Sequence, residues 1–107
     1  MQLMFTAKGG FTYIISNQFG SVLYIGVTSD IKHRLWQHRT KFYPASFSAK
    51  YNLSKLVFYK FFGDITEAID YEKYLKGKSR KFQENVISEL NPQWHDLTNE
   101  IDNLDLL

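Results

Sequence analysis

The stretch Tyr24–His38, "YIGVTSDIKHRLWQH", changes near its middle from the composition of a strand to that of a helix. Its first residues are aromatic and β-branched, which is typical of a strand. Ser29 or Asp30 then offers a side-chain cap for a helix. Ile31 and Leu35 recur four residues apart, as the buried face of a helix does. The stretch predicts a strand followed directly by a helix.

The segment before this stretch predicts a partner for its strand. "FTYIIS" and "SVLYIG" are both β-rich, and "NQFG" between them supplies turn residues. If Ser16 pairs with Ser21 in a hairpin, then Tyr13 pairs with Tyr24. Both tyrosines would then lie on one face of the sheet as cross-strand neighbours.

The rest of the chain predicts one more strand and two more helices. "LSKLVFYKFF" is a third strand, central or well covered, because both of its faces carry aromatic residues. "YPASFSAKYN" before it has no clear periodicity and is predicted to be a loop. "GDITEAIDYEKYLKG" is a helix that Asp64 or Thr66 can cap and Gly77 can end. "SRKFQENVISEL" is a helix capped by Ser79.

The order of elements is therefore β-β-α-β-α-α, which predicts an α+β fold with a small three-stranded antiparallel sheet flanked by helices. The 107 residues suffice for a single domain, with a core at about residues 10–100. Residues 1–8 and 101–107 are expected to be flexible. The chain has no cysteine, which excludes disulfides and thiolate zinc sites. The sequence shows no membrane-spanning run and no signal peptide, so a cytoplasmic protein without membrane attachment is expected.

Charge is distributed unevenly along the chain. Residues 1–62 carry a net charge of +7, whereas residues 63–107 carry −5. A basic first half favours a polyanionic partner such as nucleic acid. The alternative is an acidic second half that balances a basic body and serves solubility.

A set of polar residues could carry chemistry. Tyr13 and Tyr24 either pack together or present their hydroxyls to a reacting phosphate. Arg34 and His38 lie four residues apart on one side of their helix. Arg34 could stack on Trp36, pair with Asp30 or bind a phosphoryl oxygen. A neutral or basic group beside a cation is what hydrolysis of a phosphodiester requires.

Glu72 lies within the apolar stripe of the second helix, where a carboxylate is costly unless it is paired or binds a cation. One interpretation is an ion pair with Lys76 at i+4. The other is a ligand for a hard metal ion, since magnesium often takes only one or two protein carboxylates.

Together these residues resemble the GIY-YIG endonuclease superfamily, in particular its small single-domain bacterial members. "YIG" is intact, and the first motif keeps its tyrosine within "FTY". The motif arginine, ten residues after the YIG tyrosine, falls on Arg34, and a histidine four residues later falls on His38. The segments "KYNLSKLVFYKFF", "AIDYEKYLKG" and "NPQWHDL" extend the resemblance from about Gly10 to Glu100.

The resemblance implies a metal-dependent endonuclease that hydrolyses DNA, with branched or damaged DNA in repair or recombination as candidate substrates. It implies one divalent metal ion, Mg²⁺ or Mn²⁺, held by Glu72. Tyr24 would help to activate water, with Tyr13 and His38 in support, and Arg34 would stabilise charge on the phosphate. The family asparagine maps to Asn91 or, as a competitor, to Asn85, and Gly26 would allow close approach at the site.

The implied partner is nucleic acid, with DNA favoured over RNA. Specificity would come from the domain's own basic surface, a protein partner or a homodimer. The candidate nucleic-acid-binding residues are His33, Arg39, Lys41, Lys78 and Arg80. The alternative function is a nucleic-acid-binding module of the same fold with weak or absent catalysis.

Overall fold

The computed structural model describes residues 9–104 and contains one antiparallel sheet of three strands. The strands are β1 (Gly10–Ser16), β2 (Leu23–Thr28) and β3 (Lys55–Phe62), in the spatial order β2-β1-β3. The predicted α+β fold with a small three-stranded antiparallel sheet is therefore confirmed. The central strand is β1, whereas β3 lies at an edge. Both faces of the sheet are covered by helices, so an edge strand here can be apolar on both faces.

The described part of the chain contains five helices, two more than the sequence predicts. The additional helices are short: α2 (Phe47–Lys50) lies in the predicted loop, and α5 (Thr98–Asp102) lies in the segment after the last predicted helix. Ser46 begins α2, because its hydroxyl accepts a hydrogen bond from the Ala49 amide at 3.2 Å. The helices are α1 (Ile31–Arg39), α2 (Phe47–Lys50), α3 (Ile65–Lys76), α4 (Arg80–Leu90) and α5 (Thr98–Asp102).

The longer helices begin at side-chain caps. Asp30 accepts from the His33 amide at 3.2 Å and thereby caps α1. Asp64 accepts from the Thr66 amide at 2.9 Å at the start of α3, and the Ser79 hydroxyl likewise caps α4. The structure thus decides between the two caps that the sequence allows at α1 and at α3, in each case in favour of the aspartate.

The hairpin between β1 and β2 has a different register from the predicted one. Ser16 pairs with Leu23, and Tyr13 pairs with Gly26, a shift of two residues. The turn is longer than predicted because the Asn17 side chain closes it, accepting from the Val22 amide at 3.0 Å. A shift of two residues keeps every side chain on its predicted face, so the tyrosines still share one face.

Helices cover the sheet on two faces. On the first face, β1 residues Tyr13 and Ile15 pack with Leu35 of α1 and with Ile101 of α5. On the second face, Ile14 packs with residues of α3 and α4. Each face buries alternate residues of β1, as expected for a strand with helices on both sides.

The predicted flexible ends, 1–8 and 101–107, fall largely outside the described residues, which exclude 1–8 and 105–107. Ile101 of α5 is fully buried, so the core extends beyond the limit predicted near Glu100. No helix between residues 9 and 104 is long and apolar enough to cross a membrane.

Candidate active site

Tyr13 of β1 begins a chain of buried hydrogen bonds on the first face of the sheet. Its hydroxyl lies 2.8 Å from Nε2 of His38, which α1 carries. Nδ1 of His38 lies 2.7 Å from the hydroxyl of Ser48, which α2 carries. All three side chains are buried, and three different elements supply them. Ser48 was not predicted, because it lies in the segment that lacks helical periodicity.

The imidazole of His38 is neutral in this setting. Burial, followed by the nearby positive charge of Arg34, lowers the pKa of His38 to about 4. A neutral imidazole has one donor nitrogen and one acceptor nitrogen. Since the positive charge of Arg34 faces the Tyr13 oxygen, the favoured arrangement has Tyr13 donating to Nε2 and Nδ1 donating to Ser48.

The hydroxyl of Tyr13 stays protonated at neutral pH. Burial raises the pKa of Tyr13 most strongly, and the neighbouring Tyr24 and Glu72 raise it further. Arg34 opposes this shift, but it does not outweigh burial. Tyr13 is therefore a fixed hydrogen-bond donor.

Tyr24 of β2 lies beside this chain and is only half-buried. Its ring centre is 6.4 Å from that of Tyr13 and 5.6 Å from that of His38. It lines a shallow depression of about 370 Å³ together with Phe47 and Lys76, among others. Tyr24 is thus the tyrosine of the pair that can meet a ligand.

Arg34 of α1 lies next to both tyrosines. Burial acts to lower its pKa, but the phenols of Tyr13 and Tyr24 outweigh burial and raise it. Nη1 donates to Oε1 of Gln37 at 2.9 Å, and the guanidinium lies 6.0 Å from the ring centre of Tyr43. Gln37 and Tyr43 take the places for which the sequence offered Asp30 as an ion-pair partner and Trp36 as a stacking partner.

Glu72 comes from α3, which packs on the second face, yet its carboxylate lies close enough to raise the pKa of Tyr13. Its side chain is 12% exposed, so solvent reaches it. Oε2 lies 2.6 Å from Nζ of Lys76, which is the ion pair that the sequence left as an alternative. Glu72 is therefore paired with Lys76 and is also a neighbour of the tyrosines.

The residues near Glu72 fit one hydrated divalent ion better than an ion held only by protein. No group of three or more His, Cys, Asp or Glu residues converges anywhere within the described range, 9–104. A single carboxylate suits Mg²⁺ or Mn²⁺, which keep waters and take further oxygen ligands from a phosphate. Lys76 would have to release Oε2 when such an ion binds.

Gly26 faces Tyr13 directly across the hairpin. A Cβ atom at Gly26 would lie 2.5 Å from both Cζ and the hydroxyl oxygen of Tyr13. Gly26 therefore permits the Tyr13 ring to lie directly against the backbone of β2.

Asn91 ends α4 at a distance from this cluster and is buried. Its Nδ2 donates to the carbonyls of Val57 at 3.1 Å and His95 at 2.9 Å, and Oδ1 accepts from the His95 amide at 3.0 Å. It fastens the end of α4 to β3. Its competitor Asn85 is exposed on α4.

The predicted nucleic-acid-binding residues divide into two kinds. Arg39 and Lys41 are exposed beside the end of α1, and His33 is exposed and stacks on Trp36 with a centre separation of 5.7 Å. Nζ of Lys78 lies 4.7 Å from the ring centre of Tyr74.

Arg80 differs from these, because each of its three nitrogens already donates a hydrogen bond within the protein. It donates to the carbonyls of Gly20 at 2.6 Å and Ser21 at 3.1 Å, and it pairs with Glu84 at 3.0 Å. Arg80 therefore fastens α4 to the hairpin turn, which the sequence did not predict.

Comparisons with known proteins identify the family and the fold. A family model described as the GIY-YIG catalytic domain matches residues 9–85. The solution NMR structure of a UPF0213 protein from Bacillus halodurans is similar, with a TM-score of 0.54 and 24% identity over 92% of this chain and 99% of that one. Such a similarity shows a shared fold. No curated protein sequence matches the chain.

Proposed function

Because the chain belongs to the family of GIY-YIG catalytic domains, whose fold is that of a nuclease, we propose that it is a metal-dependent endonuclease that hydrolyses phosphodiester bonds of DNA. One observation carries the proposal: four elements bring Tyr24, Arg34 and Glu72 close to Tyr13, and Tyr24 borders a solvent-accessible depression. The proposed substrates are branched or damaged DNA that arises in repair or recombination.

Arg34 binds a non-bridging oxygen of the scissile phosphate in this proposal. Support comes from its position beside both tyrosine hydroxyls, with Gln37 fixing one end of the guanidinium. A planar guanidinium can donate two hydrogen bonds to one phosphate and stabilise the charge that develops in the transition state.

Tyr24 orients the attacking water and relays its proton: the phenolic oxygen accepts the proton of the water while the phenol's own proton passes through solvent to the leaving 3′ oxygen. It is suited to this role because it borders the open depression, whereas Tyr13 is buried and bonded to His38. The water oxygen forms a new bond to phosphorus while the bond to the 3′ oxygen breaks. The products are a 5′-phosphate and a 3′-hydroxyl.

Glu72 would hold one divalent ion, Mg²⁺ or Mn²⁺, which when bound would supply positive charge at the phosphate. Tyr13 and His38 support the site by fixing the rings around Tyr24 rather than by exchanging protons, because Tyr13 stays protonated and His38 stays neutral at pH 7. Gly26 leaves room for the Tyr13 ring.

The test is nicking of plasmid and branched DNA in Mg²⁺ or Mn²⁺ by wild type, Glu72→Ala and Arg34→Ala. Each substitution is expected to lower the rate by about a hundredfold or more, as loss of a transition-state contact does. Glu67→Ala, on the first turn of the same helix, is the matched control and should keep wild-type activity. Equal activity in all proteins would indicate a contaminating nuclease. An RNA substrate of the same sequence tests the preference for DNA.

A second candidate function is a nucleic-acid-binding module without catalysis. The ion pair between Lys76 and Glu72 favours it, because a paired carboxylate is less available to a metal ion. In that case wild type cuts no substrate, and it binds duplex DNA in a salt-dependent manner that Glu72→Ala leaves unchanged.

A further inference from the structure

Five large aromatic side chains are exposed around the mouth of the candidate site. Large aromatic side chains are usually buried, and a group of them at the surface indicates an interaction site. We call this group the aromatic rim. Its members and their exposed fractions are Trp36 (42%), Phe42 (52%), Tyr43 (51%), Phe47 (48%) and Tyr51 (47%).

The aromatic rim is continuous with the site at two places. Tyr43 lies against the guanidinium of Arg34, at 6.0 Å from its ring centre to Cζ. Phe47 lies beside Tyr24, with ring centres 6.3 Å apart. Since Arg34 and Tyr24 are themselves neighbours, the rim passes across the position proposed for the scissile phosphate.

The rings of the rim contact one another in two runs. Trp36 and Phe42 have centres 5.4 Å apart, and Phe42 and Tyr43 have centres 5.0 Å apart. Phe47 and Tyr51 form the second run, with centres 4.7 Å apart. The rings contact one another, and about half of the surface of each of these residues is still exposed.

The charge around the rim favours an anionic ligand. Residues 31–62, which contain the whole rim, include seven Lys or Arg and no Asp or Glu. Arg39, Lys41 and Lys50 are exposed within the same part of the chain. Exposed aromatic rings interspersed with cations are the chemistry that binds single-stranded nucleic acid, where bases stack and phosphates pair.

We propose that the aromatic rim stacks on unpaired nucleotides, so that the site acts on phosphodiester bonds within or beside single-stranded segments. Bases inside a duplex already stack on each other and present only their edges and phosphates to a protein, so a rim of rings gains little from intact duplex. The part of this inference that concerns cleavage rests on the proposed nuclease function. Stacking of the rim on unpaired nucleotides does not require cleavage.

The experiment measures fluorescence anisotropy of a labelled single-stranded DNA and of a hairpin duplex with the same sequence, in EDTA so that no cleavage occurs. The variants are Trp36→Ala with Phe42→Ala, and Phe47→Ala with Tyr51→Ala. Each pair should weaken single-strand binding by roughly tenfold or more and duplex binding by less than about twofold. Wild-type binding to the single strand should also survive added salt better than binding to the duplex, because stacking does not depend on counterions.

Tyr74→Ala is the matched control. Tyr74 is 47% exposed, as Tyr51 is, but it contacts Tyr71 and Phe82, which pack on the second face of the sheet. It should leave single-strand binding unchanged. Two further variants at position 47 separate stacking from general apolar contact. Phe47→Tyr keeps a ring and should bind single strands as wild type does, whereas Phe47→Leu is apolar without a ring and should bind more weakly.

Several outcomes would overturn the inference. Equal losses for single strand and duplex would indicate general phosphate binding, and no loss for either would show that the rim does not bind nucleic acid. A rim variant that converts a dimer to a monomer in sedimentation would assign the rim to a protein interface. If the rim binds single strands but wild type cuts no DNA, only the proposed nuclease function fails. If wild type cuts DNA and the rim variants bind single strands as wild type does, only this inference fails.

Discussion

The two faces of the sheet are built from alternate residues of the same central strand, yet they bury different chemistry. On the first face, Tyr13 leads into the hydrogen-bonded chain through His38 to Ser48. On the second face, Ile14 lies in an apolar cluster that includes Ile87 of α4. The first face therefore combines packing with a polar site, and the second face mainly packs.

The difference indicates how the fold separates stability from function. Polar groups that are buried and hydrogen-bonded add little net stability, because they lose comparable bonds to water. Among the described residues, every buried side-chain nitrogen or oxygen has a hydrogen-bond partner, so the polar chain is tolerated without a large penalty. We expect apolar changes on the second face to act mainly on stability, and polar changes on the first face to act mainly on activity.

The largest expected effect is on the second face. Ile87→Ala should lower the free energy of unfolding by about 3 kcal/mol, since Ile87 is fully buried and its truncation leaves a cavity. Urea denaturation measures the change. Leu90→Ala on the same helix is the control, because Leu90 is 74% exposed and should cost less than about 0.5 kcal/mol. Similar losses for both variants would mean that Ile87 does not lie in a tightly packed core.

A comparable effect on the first face should depend on pH. The pKa of His38 falls from 6.5 to about 4 on folding, chiefly through burial, so between these values the unfolded chain binds the proton and the folded chain does not. Stability is therefore fully present above pH 6.5 and falls as the pH drops to about 4, by about 3 kcal/mol.

This pH dependence can be measured by urea denaturation at several pH values. His38→Gln keeps a donor and an acceptor but does not titrate, so its loss of stability over the same range should be smaller by about this amount. His33→Gln, which changes an exposed histidine on the same helix, should follow wild type. If His38→Gln follows wild type as well, the first face does not hold a neutral histidine.

Arg34→Lys should separate function from packing on the first face. A lysine keeps the charge but lacks the planar fork that reaches a phosphate and the tyrosines together. The cleavage rate at a single turnover should fall by about a hundredfold, equivalent to about 2.7 kcal/mol in the barrier. Thermal unfolding should stay near that of wild type, and a parallel loss of stability would show that Arg34 serves mainly to hold the fold.

The smallest expected effect concerns the ion pair between Lys76 and Glu72, which α3 brings from the second face to the tyrosines of the first. Lys76→Met removes the ammonium that lies 2.6 Å from Glu72 Oε2, so Glu72 should bind Mn²⁺ about threefold more tightly. The gain is limited because Lys76 is half exposed, and exposed i,i+4 pairs contribute less than about 1 kcal/mol. Calorimetric titration with Mn²⁺ measures it, with Lys73→Met on the same helix as the control. Unchanged affinity would indicate that Glu72 is not the metal ligand.

Much of the fold follows from local patterns in the sequence. The alternation in "FTYIIS" and the apolar spacing around Leu35 predict strand and helix correctly, and Ser79 caps its helix as predicted. These features depend on neighbours within one or two turns of chain. The hairpin register was wrong by two residues, because the hydrogen bonds of Asn17 that lengthen the turn are not encoded in strand periodicity.

The site was only partly accessible to sequence reasoning. Residue type, spacing and family resemblance selected Tyr13, Tyr24 and Glu72, whose mutual proximity the structure displays. Ser48 and Gln37 escaped notice, since a serine in an irregular segment and a glutamine on a polar helix give no signal of their own. Each becomes relevant only because a distant side chain lies within hydrogen-bond distance.

The sequence by itself determined the three strands and the three longer helices, the cap of α4 at Ser79, and which residue types could meet a phosphate, because these depend on local backbone preferences and side-chain chemistry. Only the tertiary structure decided that β1 is central, that Lys76 pairs with Glu72, and that Arg80 is committed to the hairpin turn. These outcomes depend on contacts between residues far apart in the chain. The packing of whole helices and strands determines such contacts, and no local sequence pattern predicts that packing.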